Sequence, residues 1–66
     1  MIIFQAVTAD KYEFDIASDH TLKVLAGILR IETGEAREAL KNKKAISTPY
    51  TKVLGYPAVY IRRIEL

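Results

Sequence analysis

The sequence predicts an α+β domain: a small three-stranded antiparallel sheet packed on a helix-turn-helix-like pair, in the order β-β-α-α-β. Three observations predict it. Apolar and polar residues alternate from Tyr12 to Ile16, the pattern of a half-buried strand. From Leu22 the apolar spacing changes to that of a helix lying on a core. Residues 58–66 then return to β-branched and aromatic types.

The elements follow in order. Residues 2–7 are rich in β-branched and aromatic side chains and predict a strand. Thr8, Ala9, Asp10 and Lys11 break the run and suit a hairpin turn. Tyr12, Phe14 and Ile16 then alternate with Glu13 and Asp15, so the first 17 residues are expected to form a hairpin with Phe14 in the core. Leu22, Leu25, Ala26 and Leu29 recur at helical spacing, with Thr21 as the favoured N-cap and Asp19 adding negative charge beside it. That helix should stop at Leu29 or Arg30. A second helix is expected over residues 35–42, capped by Thr33, with Ala36, Ala39 and Leu40 facing inward. Its outer face would carry Glu35, Arg37, Glu38, Lys41 and Asn42. Residues 45–57 hold two prolines and a glycine and predict a long connection, a short strand at Val53 and Leu54 at most. The final strand should rejoin the hairpin.

Sixty-six residues make a single domain, residues 1–66. A chain of this length buries only about 60% of the surface that it exposes when unfolded. Half of its residues are apolar, too many for a disordered tail. With no cysteine, neither disulfides nor thiolate metal sites are available. No run approaches the roughly 20 apolar residues of a membrane span, and Met1, Ile2, Ile3 and Phe4 lack the basic leader of a signal peptide. The expectation is a cytoplasmic protein without a membrane partner.

Charge is unevenly spread. Residues 1–40 carry four basic groups against seven acidic ones, a net −3, and residues 41–66 carry six against one, a net +5. Such asymmetry marks either a face for an anionic partner or an ordinary solvated surface. Lysines at 41, 43 and 44 also suit the C-terminal end of a helix dipole without any ligand.

Chemistry is harder to find. His20 is the one histidine, and without a second His or a Cys it makes no metal set. Gly27, Gly34 and Gly55 are isolated and form no phosphate loop. Asp10, Glu13, Asp15 and Asp19 lie close in sequence but lack a calcium-loop signature. Tyr12 and Phe14 alternate with acids and make no basic stacking platform. The sequence implies no cofactor, no metal and no enzyme.

Two short helices and a tight turn need a small residue at the crossing, an apolar plug after the turn, and an apolar inner face on the second helix. Ala26, Ile31, and Ala36 with Ala39 and Leu40 fill these roles. With Thr21, Leu25, Leu29 and Lys41, and with Tyr60, Ile61 and Ile64 in the last strand, the chain resembles helix-turn-helix proteins, in particular small phage and prophage proteins. Those pair a β-hairpin with a "Leu-Ala-x-x-Leu-Gly-Ile … Ala-Leu-Lys" helix pair and a "Tyr-x-Ile" strand. The resemblance covers roughly residues 11–44 and the final strand.

It implies that the second helix enters the major groove of double-stranded DNA in a regulatory role. Thr33, Glu35, Arg37, Glu38 and Lys41 would face the groove, with Arg37 suited to guanine. Lys43 and Lys44 would hold phosphates. Lys52, beside Tyr50 and Tyr56, would belong to a basic wing or to a surface for a protein. Three departures stand against the pattern. Arg30 takes the place of the usual glycine in the turn. Glu32, Glu35 and Glu38 bring negative charge toward phosphates. The connection after the second helix is longer than usual. The alternative is therefore a phage-type protein that modulates a protein partner through the same helices, using Glu35, Glu38, Tyr50 and Tyr56; a purely structural or oligomerising domain is a third. A homodimer is a further expectation, from small size and the two-fold symmetry of operators.

Overall fold

The computed structural model describes residues 1–66. Three strands, β1 (Ile2–Thr8), β2 (Asp15–Asp19) and β3 (Val59–Glu65), form one antiparallel sheet in the order β2-β1-β3. Three helices, α1 (Leu22–Leu29), α2 (Thr33–Asn42) and α3 (Pro49–Leu54), separate β2 from β3 in the chain. The α+β class and the three-stranded sheet are as the sequence predicts; the element order gains a helix.

The central strand explains the layering. Along β1, Ala6 pairs with Ala17 on one side and with Ile61 on the other. Strand alternation puts these residues, with Val59, on one face. Leu25, Ala26 and Leu29 of α1 and Ala36 and Ala39 of α2 pack there, and all five are buried. Alanines at four core positions let the helices approach the sheet closely. On the opposite face Arg62 Nε donates to Gln5 Oε1 at 2.9 Å, and Gln5 Nε2 donates to Asp15 Oδ2 at 3.2 Å. That polar ladder crosses all three strands and lets the second face stay wet.

The hairpin differs from expectation at its second strand. β2 starts at Asp15, and Tyr12 and Phe14 are 63% and 56% exposed instead of buried. Asp10 is the cause. Its Oδ1 accepts from Thr8 Oγ1 at 2.9 Å, from the Tyr12 N–H at 2.9 Å and from the Glu13 N–H at 3.1 Å. Thr8 Oγ1 in turn accepts from the Phe14 N–H at 2.9 Å. Amides that would have fed a ladder are satisfied by side chains, so the chain turns. Glu13 adopts a left-handed conformation at φ 47°. Ile16 then forms a bulge, because Ala6 pairs with Ala17 but Val7 with Asp15. The alternating segment lies mostly in the turn, where Tyr12 and Phe14 stack at 5.7 Å between centroids.

The segment read as a long connection, or as a strand at Val53 and Leu54, contains α3. Thr48 is its N-cap and Pro49 its first residue, a position where the missing N–H costs nothing. Thr48 Oγ1 accepts from the Thr51 N–H at 3.1 Å, and Thr51 Oγ1 accepts from the Thr48 N–H at 2.9 Å. This reciprocal pair is a capping box with threonine in the place usual for glutamate. Val53 and Leu54 are helical and exposed. A wing is therefore absent from residues 45–57, and so is a plain loop. No helix is long and apolar enough to cross a membrane.

Candidate nucleic-acid interface

α1 begins where the sequence suggests. Thr21 Oγ1 accepts from the Val24 N–H at 3.3 Å, and Asp19 Oδ1 accepts from the Thr21 N–H at 3.2 Å. It ends at Arg30, which takes φ 61°, ψ 42°. The Arg30 N–H donates to Gly27 O at 3.2 Å and the Ile31 N–H to Ala26 O at 3.0 Å. Those two bonds close a Schellman motif, normally built on glycine. Ile31 packs half-buried against the core and so plugs the turn.

α2 follows directly. Its N-cap is Glu32, which makes no side-chain cap bond, so Thr33 is not the cap. Thr33 is the first helical residue and half-buried, because the chain enters the helix two residues earlier than residue 35. Ala36 and Ala39 are buried and Leu40 half-buried, as the inner face requires. Glu35, Arg37, Glu38, Lys41 and Asn42 face solvent. Gly34, Arg37, Glu38, Lys41 and Asn42 line a shallow polar depression of about 330 Å³ on that face.

A second left-handed cap closes α2. Lys43 stands at φ 52°, ψ 43°, its N–H donating to Leu40 O at 3.4 Å, while the Lys44 N–H donates to Ala39 O at 3.1 Å. Lys43 and Lys44 are exposed. The helix is thus electrically graded. Glu32 and Glu35 lie at its start and Lys41, Lys43 and Lys44 at its end, each complementing the dipole. The ion pairs of the chain are Glu13 with Arg62 at 3.9 Å and Glu65 with Arg63 at 3.1 Å, and Asp19 Oδ1 lies 3.8 Å from His20 Nδ1. Arg37, Lys41, Lys43 and Lys44 take part in none of them, although Glu35 and Glu38 share their helix.

The other predicted residues lie elsewhere. Lys52 is exposed on α3, which packs on α1 rather than beside the α2 cations. Tyr50 is half-buried against the core, and the half-buried Tyr56 donates its N–H to Thr51 O at 2.9 Å to close α3. Both tyrosines serve the α3 fold. Glu35 and Glu38 border a smaller depression of about 190 Å³ with Asn42, Lys44 and Ile46.

Sequence reasoning missed a groove at the β3 edge. It measures about 520 Å³ and includes Leu40, Lys43, Tyr60, Ile61, Arg62 and Arg63 among its lining. Adjacent arginines in a strand are a recognised edge signal. Strand order, which decides where that edge lies, has no local signature. No protein-family model matches the chain, and neither a curated protein nor a solved structure is significantly similar to it.

Proposed function

We propose that the chain binds double-stranded DNA through the outer face of α2, as a small regulatory protein of the phage and prophage helix-turn-helix type. One observation supports this above the rest: α2 offers Arg37, Lys41, Lys43 and Lys44 to solvent with no carboxylate partner. Cations left unpaired are available to displace counterions from phosphate, which drives association at low salt. Lys41, Lys43 and Lys44 hold the backbone, and Arg37, one turn earlier, reaches the base edges. Thr33 contributes at the helix start, and Lys52 adds long-range attraction only.

Fluorescence polarisation with mixed-sequence duplexes tests this. Three phosphate contacts give a slope of log affinity against log salt of about −3. Replacing Lys43 and Lys44 together by alanine lowers that slope by about 2 units and weakens every sequence alike. Arg37→Ala instead narrows the gap between preferred and random sequence by about 1–3 kcal/mol. Absence of binding at low salt overturns the proposal. A dimer on a two-fold site belongs to the same proposal, and light scattering that finds a monomer at high concentration removes that part.

The second reading, a protein partner on the same helix, is favoured by Glu35 and Glu38, which are exposed and equally unpaired. Glu35→Lys and Glu38→Lys separate the two. On DNA each reversal strengthens low-salt binding; on a basic protein surface each weakens it.

A further inference from the structure

We infer that the outer edge of β3 is a docking site for an extended acidic segment of another protein, added to the sheet as a fourth strand. The site is separate from the outer face of α2, and only Lys43 borders both.

Backbone parity locates the free groups. Val59 exchanges both its bonds with Ile46, which sits outside the sheet: Ile46 N–H to Val59 O at 2.9 Å and Val59 N–H to Ile46 O at 2.8 Å. On the β1 side, the Ala9 N–H donates to Ala58 O at 3.1 Å and the Leu66 N–H to Met1 O at 2.8 Å. Even-numbered residues of this strand therefore bond inward to β1, and odd-numbered ones point outward. Ile46 satisfies Val59 alone. Ile61, Arg63 and Glu65 are left with outward N–H and C=O groups and no strand beside them. Unpaired edges of this kind are templates for another strand. The chain's own Ile46 already demonstrates antiparallel pairing at the first of these positions.

Space and charge then specify the occupant. The groove of about 520 Å³ alongside is lined by Leu40 of α2 and its cap Lys43, by residues 60–63 of β3, and by Val7 of β1 and Glu13 of the hairpin turn. Its lining carries three cations, Lys43, Arg62 and Arg63, against Glu13. Lys43 has no ion-pair partner, and the Arg62–Glu13 contact at 3.9 Å and the Arg63–Glu65 contact at 3.1 Å are both solvent-exposed, hence weak and open to exchange for a carboxylate of the incoming strand. An apolar side chain opposite Ile61 meets Leu40. Carboxylates opposite Arg62 and Arg63 meet the cations. A second copy fits worse. The two-fold register that uses all three outward residues sets Arg63 directly against its own counterpart, and like charges in that position repel.

The test uses the whole chain, 15N-labelled, and the capped hexapeptide Thr-Val-Glu-Asp-Val-Thr carrying a fluorophore. Its Glu lies opposite Arg63 and its Asp opposite Arg62. Saturable binding is expected, with the largest amide shifts at Ile61, Arg63 and Glu65. N-methylation at the Glu removes a ladder donor and should weaken binding roughly tenfold. N-methylation at the Asp, whose N–H points away from β3, should leave affinity within about twofold. Lys43→Glu with Arg63→Glu should weaken it by roughly tenfold again, and a peptide with lysines in place of its two acids should not bind. No saturable binding, equal effects of the two N-methyl groups, or shifts confined to α2 would each overturn the proposal. So would β3 amides that move with protein concentration in the absence of peptide, which would hand the edge to a second copy. A mixed-sequence duplex that moves those amides in place of the peptide would hand it to nucleic acid.

Discussion

Three residues hold a backbone conformation that L side chains adopt reluctantly. Arg30 and Lys43 close helices at φ 61° and 52°, and Glu13 turns the hairpin at φ 47°. Each costs of order 1 kcal/mol relative to glycine. Arg30 lies outside the proposed DNA face, so Arg30→Gly should stabilise the fold by about 1 kcal/mol and raise Tm by about 4–8 °C, read by calorimetry. DNA affinity should change little. Lys43→Gly should give a similar gain and cost a phosphate contact, which separates stability from binding at a single position. Asp10 is the other residue of consequence. The Thr8 hydroxyl, working against desolvation, and then the Glu13 and Tyr12 amides hold its carboxyl below the ordinary carboxylate range. A depressed folded-state value means that its contribution is present above the unfolded value and is lost as pH falls through the folded one. Acidification should therefore loosen the turn only below the usual carboxylate range. A carbon NMR titration of the Asp10 carboxyl, in the folded protein and in a peptide spanning the turn, should give the lower value in the protein. Equal values would remove the assigned role.

Elements differed in how plainly their sequences spoke. α1 was legible because period and cap agreed: Leu22, Leu25, Ala26 and Leu29 lie on one face, and Thr21 caps the helix. β1 and β3 were legible from their β-branched runs. β2 was placed too early because Tyr12 and Phe14 alternate like strand residues, while the decisive influence was one carboxylate, Asp10, collecting three donors. α3 was hidden by Pro49 at its start and Pro57 just beyond its end. Thr48-Pro49 followed by Thr51 is a helix start, but Thr51 fills a position where glutamate or glutamine is the usual cue. Of the candidate residues, Arg37 and Lys41 followed from helical spacing and Lys43 and Lys44 from the resemblance, and the four lie along α2, at its cap and just beyond it. Lys52 was assigned to a wing that is a helix. Thr48→Ala removes the α3 cap and leaves the buried Thr51 N–H without its acceptor, so it should cost about 1–2 kcal/mol by urea denaturation. A loss limited to a few tenths would show that the cap is incidental.

The whole molecule has little to spare. Its twelve buried residues include four alanines, and Leu25 and Leu29 are the largest side chains fully enclosed. Leu29→Ala deletes a large share of that core at a cost of about 3 kcal/mol, against a total stability at the low end of about 5–15 kcal/mol. Circular dichroism should find the variant's Tm lowered by roughly 12–24 °C. If it melts like the parent, the core is larger than these twelve residues.

β1 pairs with β3 over its full length, and Gln5 meets Arg62 across a separation of 57 residues. Such a closure sets a folding order. Helices and hairpin are assembled from near neighbours, but the layer beneath them is incomplete until the most distant partner docks. The rate-limiting event should be that late annealing, slower than in a helical bundle of similar size. During synthesis the nascent chain would carry an unsealed β1 until Val59 and Ile61 had cleared the ribosome.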